Sequence, residues 1–326
     1  MATNGTLTAS STVLYLTMVQ KQVIRTLPIL LVSGLVGNIS SCLIFHEREL
    51  RYNAVSRLLK SACIFNIIVL CYAIGINLYN VDHVSADTYS LIFCKLRLYI
   101  RHILLMIVRT YVTLACAASF ALSSTKVNLR ALCRPKYIQL AIISVPFVWI
   151  LVPIHMPFLK TIRNNICIDI DPYVVPFAVY FFLIVGVFPI IVMTIFTLLT
   201  IHNLHLLHNR VQATIITPVR IKKRDRQFIR MLVSLVIMYL ITNLYFPTNA
   251  LYQALTYWQK KSPERVAIDS LIFSITSNHI LYINNVSPFY LFFYSSLTFR
   301  KMFQRILHRY VDTTVSLIRK FFQRTG

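Results

Sequence analysis

The chain has 326 residues, 57% of them hydrophobic and only 13% charged, with a mean hydropathy of +0.65. Soluble domains average about 45–50% apolar and about 25% charged residues, so the composition excludes an ordinary soluble domain and points to membrane-spanning helices. The net charge of +23 would suit nucleic acid. The bases, however, lie scattered between apolar runs and form no groove-binding stripe, so no nucleic-acid partner is expected.

Residues 1–22 read as an N-terminal segment carrying the sequon Asn4-Gly5-Thr6. No basic stretch precedes an apolar one there, so the first span is expected to serve as its own insertion signal. Runs of about 20 apolar residues then recur at Ile24–Phe45, Leu58–Tyr79, Cys94–Leu122, Tyr137–Pro157, Val174–Ile201, Ile229–Leu255 and Val266–Tyr294. The seventh carries Asp269, Asn278, His279, Asn284 and Asn285, and is expected to face the bundle interior. Beyond it, Phe299, Met302, Phe303, Ile306, Leu307 and Tyr310 fall at 3–4 spacing among Arg300, Lys301, Arg305 and Arg309, the pattern of an amphipathic helix lying on an anionic lipid surface. The fold class read from this is all-α: a seven-span bundle over residues 23–296, then an amphipathic helix and tail over 297–326. The lipid bilayer is its first expected partner.

Lys and Arg crowd into connections 46–57, 123–136, 202–230 and 297–326, and are sparse in 1–22, 80–93, 158–172 and 256–267. The positive-inside rule then puts the amino terminus outside and the carboxyl terminus inside, in a multi-pass membrane protein. Of seven cysteines, only Cys94 and Cys167 fall on the outer side, where disulfides form, so they are expected to pair.

Seven spans, an outer amino terminus and a third-span-to-loop disulfide resemble the rhodopsin-like (class A) G-protein-coupled receptors. Further marks run in order along nearly the whole chain: Gly37-Asn38 in the first span, Trp149 in the fourth, Pro189 in the fifth, Pro247 in the sixth, and Ser287-Pro288-Phe289-Tyr290 in the seventh, similar to the family's Asn-Pro-x-x-Tyr. The resemblance implies a receptor that carries the signal of an extracellular ligand to a heterotrimeric G protein. Kinks at Pro189, Pro247 and Pro288 would let the inner halves of three helices swing, although a tolerated proline kink is the plainer reading of each.

The third span holds the candidate ligand contacts. Arg97 and Arg101 lie one turn apart in its outer third. Snorkelling of Lys95 and Arg97 to the headgroups is the ordinary alternative. Arg101 is deeper, where the family's amine receptors carry an acid, which favours an anionic ligand such as a peptide carboxylate; internal pairing with Asp169, Asp171 or Asp269 is the alternative. Tyr245, Asn249 and Tyr252 on the sixth span, and His279 and Tyr282 on the seventh, complete the expected pocket. Arg109 stands near mid-membrane with no central acid, so carbonyls freed near Pro189 or Pro247, or the side chain of Asn243, are its expected partners.

At the inner end of the third span the family's Asp-Arg-Tyr is replaced by Ala118-Ser119-Phe120, which removes the ionic latch. Asn66 replaces a buried Asp that holds sodium in the family, Tyr245 replaces the sixth-span Trp, and Ser287 replaces the seventh-span Asn, with Tyr290 one place early. These positions, with Arg109, Pro247 and Pro288, are the expected switch and coupling elements. A receptor with non-standard coupling is thus one alternative, and an anion transporter using Arg101 and Arg109 another, although there are no internal repeats and no acid within a central apolar run. No HExxH, GxSxG or Walker pattern occurs, so no enzyme is expected, nor any cofactor or metal.

Overall fold

Seven helices are long and apolar enough to cross a membrane among the described residues, and the chain folds as an all-α bundle of them. A computed structural model describes residues 2–213 and 223–325. The side chains of Asn4 and of the Lys222-Lys223-Arg224 run with Arg226 lie outside the described residues.

The first span is two helices, α1 (Ala2–Arg25) and α2 (Leu27–His46), parted at Thr26 just before Pro28. Asn53 caps α3 (Ala54–Asp82), accepting the Val55 and Ser56 amides at 2.9 and 3.3 Å. Ser90 accepts the Phe93 amide at 3.4 Å to cap α4 (Leu91–Ser123), the longest unbroken helix among the described residues. A short α5 (Val127–Ala131) leads into α6 (Pro135–Leu151), which opens on proline. A hairpin of β1 (Lys160–Arg163) and β2 (Ile166–Asp169) follows. Its two-residue loop, Asn164-Asn165, has positive φ at both positions, the geometry that matches strand twist.

The fifth span runs as α7 (Val174–Tyr180), a π-helical stretch Phe181–Val187 and α8 (Phe188–Ala213). The sixth is α9 (Lys223–Thr242) and α10 (Tyr245–Leu255), broken just before Pro247. The seventh is α11 (Pro263–Ile275), a π-helical turn Thr276–Ile280, α12 (Leu281–Val286) and, past Ser287, α13 (Pro288–Ser295). The amphipathic α14 (Leu297–Thr325) closes the chain.

Burial separates the helices by role. Two thirds of the apolar window of α4 is buried (67%), against 17% for the span begun by α6. So α4 is the central post and α6 lies at the edge. Leu140, Ile143, Phe147 and Leu151 remain exposed along α6, an apolar helical stripe suited to contact with lipid. As expected from sequence, the seventh span turns polar residues inward: Ser274, Thr276, Ser277, Asn284 and Asn285 are all buried.

Close approach of α2 to α3 depends on Gly34. A Cβ there would lie 2.5 Å from Leu70 Cδ1 and 3.0 Å from Val286 Cγ2. Gly34→Val is therefore expected to lower stability by about 1–3 kcal/mol, read as earlier thermal unfolding of the purified chain. Unchanged unfolding would mean that this contact is slack.

At the end opposite the hairpin, α14 buries Phe299, Met302 and Ile306. Arg305 and Arg309 reach back to Glu49 and Glu47 at 2.8 and 3.1 Å, tying α14 to the connection after α2. Of the apolar face read from sequence, Phe299, Met302, Phe303 and Ile306 pack on the bundle, while Leu307 and Tyr310 stay exposed.

Candidate functional site

The hairpin end of the bundle is open. The Cys94–Cys167 disulfide fastens β2 to the start of α4, the pairing expected from sequence. Lys160 and Asp169 face each other across the hairpin and form an ion pair of 2.6 Å. Nearby, burial, together with Asp169, holds the Tyr173 phenol above its usual range.

Two chambers lie beneath. The first, about 350 Å³, is lined by Phe177, Phe181, Phe246 and Phe273, with Arg101 and Tyr257 among its other walls. The second, about 420 Å³, is walled by Lys21 of α1, Asn77 of α3, Arg97 and Arg101 of α4, and Ser274 and Asn278 of the seventh span. Arg101 and Phe273 line both, so the chambers meet at Arg101. Each is of the size that holds small ligands.

Ion pairing distinguishes the two arginines. Arg97 pairs with Asp87 and also donates to Asn77 Oδ1 at 2.9 Å, so it braces the mouth. Arg101 has no carboxylate partner among the described residues. The three acids open to it from sequence are taken: Asp169 by Lys160, Asp171 by Arg163, and Asp269 by Lys261 at 2.6 Å. Its guanidinium stands 6.0 Å from the Phe246 ring centroid and beside Tyr282.

Other expected pocket residues lie elsewhere. On α10 the lining face is Phe246, Ala250, Gln253 and Ala254, one position round from the face read from sequence, with Tyr257 just past the helix end. Tyr245 is 54% exposed on the outside of the bundle and does not line the pocket; Phe246 takes that place, because the break at Asn243-Leu244 shifts the helix face before Pro247. Asn249 donates to Thr276 Oγ1 at 3.2 Å, joining α10 to the π-helical turn. Tyr252 accepts from Arg265 at 2.8 Å and sits at the rim. His279 bonds Thr26 Oγ1 at 2.9 Å, at the break between α1 and α2. Tyr282 is fully buried beside Arg101 and lines neither chamber.

Deeper, three amides close a ring. Asn66 donates to Asn38 Oδ1 (3.0 Å), Asn285 donates to Asn66 Oδ1 (2.7 Å), and Asn38 donates to the Asn285 carbonyl (2.9 Å). Thr242 adds a bond to Asn284 Oδ1 at 2.8 Å. The Asn66 site is thus satisfied by neutral groups alone. Sequence reading marked Asn38, Asn66 and Asn285 singly but did not join them, because nothing local connects residues 38, 66 and 285.

Arg109, only 3% exposed, donates to the Val185 carbonyl at 2.7 Å. Asn243 donates to the same oxygen at 3.0 Å and to Gly186 O at 2.9 Å. The reason is covalent. Val185 lies four residues before Pro189, which has no N–H to give back, so the carbonyl is free for side-chain donors. Of the partners expected for Arg109, a carbonyl near Pro189 is the one found; Asn243 shares that carbonyl as a second donor.

At the basic end, Ala118 and Ser119 are each 6% exposed, and Phe120 packs on Phe196 with centroids 5.8 Å apart. Phe228, Met231, Leu232 and Leu235 of α9 are buried, and Gln227 meets Ser296 at 3.4 Å. Ser287 Oγ is buried without a partner at the break where Pro288 begins α13. Tyr290 turns outward, its hydroxyl donating to Ser33 O at 3.1 Å. Apolar packing stands where an ionic latch is missing.

The chain matches no protein-family model, and no curated protein matches it.

Proposed function

We propose that this seven-helix membrane protein is a divergent rhodopsin-like receptor, with its amino terminus outside the plasma membrane, that binds an anionic ligand at Arg101 and passes the signal to a G protein or another partner at its basic inner face. One observation carries the reading. Arg101 is a cation on a membrane-spanning helix, without a carboxylate partner among the described residues, set between two ligand-sized chambers under a disulfide-fastened hairpin. Ionisable side chains within spans that face a cavity mark ligand or ion pathways. A ligand acid supplies the missing partner. No enzymatic role is part of the reading.

The test pairs signalling with uptake in the same cells, using a panel of carboxylates and their neutral amides. Arg101→Ala is expected to weaken the response to acids at least about tenfold, the worth of one charged hydrogen bond, and to leave amide responses unchanged. Equal loss for acids and amides would remove the role given to Arg101. Accumulation of the acid inside the cell without a signal would make the protein a transporter.

A further inference from the structure

We infer that the two chambers hold a single ligand, an amphiphile whose acid group lies against Lys21 and Arg101 and whose aryl or alkyl body lies among Phe177, Phe181, Phe246 and Phe273. The inference rests on reading this end of the bundle as a ligand site. It adds the ligand's chemical class and a wall that sequence did not assign, the N-terminal helix of the chain itself.

The chambers differ in chemistry. The one beside α1 is lined mostly by amides, hydroxyls and cations, with Ile24, Val81 and Phe273 among them, and by no carboxylate. Arg97 is already neutralised by Asp87, which leaves Lys21 and Arg101 without ion-pair partners among the described residues. The other chamber is faced by four phenylalanines, and its charged pair, Lys160 and Asp169, is closed on itself. A small acid would fill one chamber and leave the aromatic one empty. A wholly apolar ligand would strip water from two cations and give nothing back. An acid joined to an apolar body satisfies both, and Arg101 and Phe273 mark the passage between its halves.

The α1 wall is built in. Gln20 accepts from Ser270 at 3.3 Å, Arg25 pairs with Asp82 at 3.6 Å, and Thr26 meets His279. These contacts seat α1 between the second and seventh spans, with Lys21 over the polar chamber.

The experiment measures equilibrium binding to the purified full chain in lipid nanodiscs by ligand-observed NMR, with phenylbutanoate, phenylbutanol and butanoate as probes. Phenylbutanoate is expected to bind at least about tenfold tighter than either fragment. Lys21→Gln, on an exposed side chain, is expected to weaken phenylbutanoate about three- to tenfold and to leave phenylbutanol unchanged. Ala250→Phe, which narrows the aromatic chamber, is expected to reduce phenylbutanoate to the level of butanoate while butanoate itself holds. Phe177→Ala provides the same contrast by removing wall surface, should the larger side chain impair folding. The inference is overturned if butanoate or phenylbutanol binds as tightly as phenylbutanoate, if Lys21→Gln weakens every probe alike, or if phenylbutanoate does not bind. Binding as expected with no signal at the other face would instead overturn the receptor reading and leave this one standing. A signal from short acids through Arg101 would do the reverse.

Discussion

Asn66→Leu is expected to lower the free energy of unfolding by about 2–6 kcal/mol. Leucine fills a similar volume but neither donates nor accepts. Its introduction orphans Asn38 Oδ1, which receives the Asn66 amide, and Asn285 Nδ2, which donates to Asn66 Oδ1. Both partners are 3% exposed or less, so water does not replace the lost bonds. Each buried group left unsatisfied costs about 1–3 kcal/mol. Asn66→Asp is a sharper probe, since it keeps an acceptor for Asn285 but presents a carboxylate to Asn38 Oδ1. The wild-type ring is complete without a cation, so its thermal unfolding is expected to be the same in sodium and choline buffers. A stability that rises with sodium would contradict the neutral ring.

Restoring charge at the basic end of α4, by Ala118→Asp with Ser119→Arg, is expected to cost more than about 3 kcal/mol and to change basal signalling. Both positions are 6% exposed. An arginine at 119 must displace packed neighbours, at about 1–3 kcal/mol for overpacking alone, or leave a buried charge whose partner is not prepared. The strain is relieved by parting the helices at that end, which is the movement expected of a signalling state. Unchanged stability together with unchanged basal and stimulated output would show that this stretch has no part in coupling.

The seven spans were legible because a bilayer demands long apolar runs, and the disulfide because only two cysteines share an oxidising side. Arg109 was legible in part, since a proline frees a carbonyl at a fixed offset and Pro189 named the neighbourhood. The faces of broken helices were not legible. Tyr245, Asn249 and Tyr252 have the right spacing, but the break at Asn243-Leu244 puts Phe246 in the pocket instead. Helix α1 read as a loose outer segment, although the inward positions Val13, Leu16, Val19, Val23 and Ile24 already carried helical spacing. Asn164-Asn165 between two alternating tetrapeptides likewise signalled the hairpin. The amide ring was beyond reach, because it joins residues separated by 28 and 219 positions.

The central claim is that an acid bound at Arg101 reaches the basic end through the helices broken at Pro189, Pro247 and Pro288. The most direct measurement is the distance between spin labels at Val127 and Arg230, both exposed at that end, with and without an acid that binds the purified chain. The expected result is a wider distance distribution on binding, absent in Arg101→Ala. Saturating binding that leaves the wild-type distribution unchanged would contradict it.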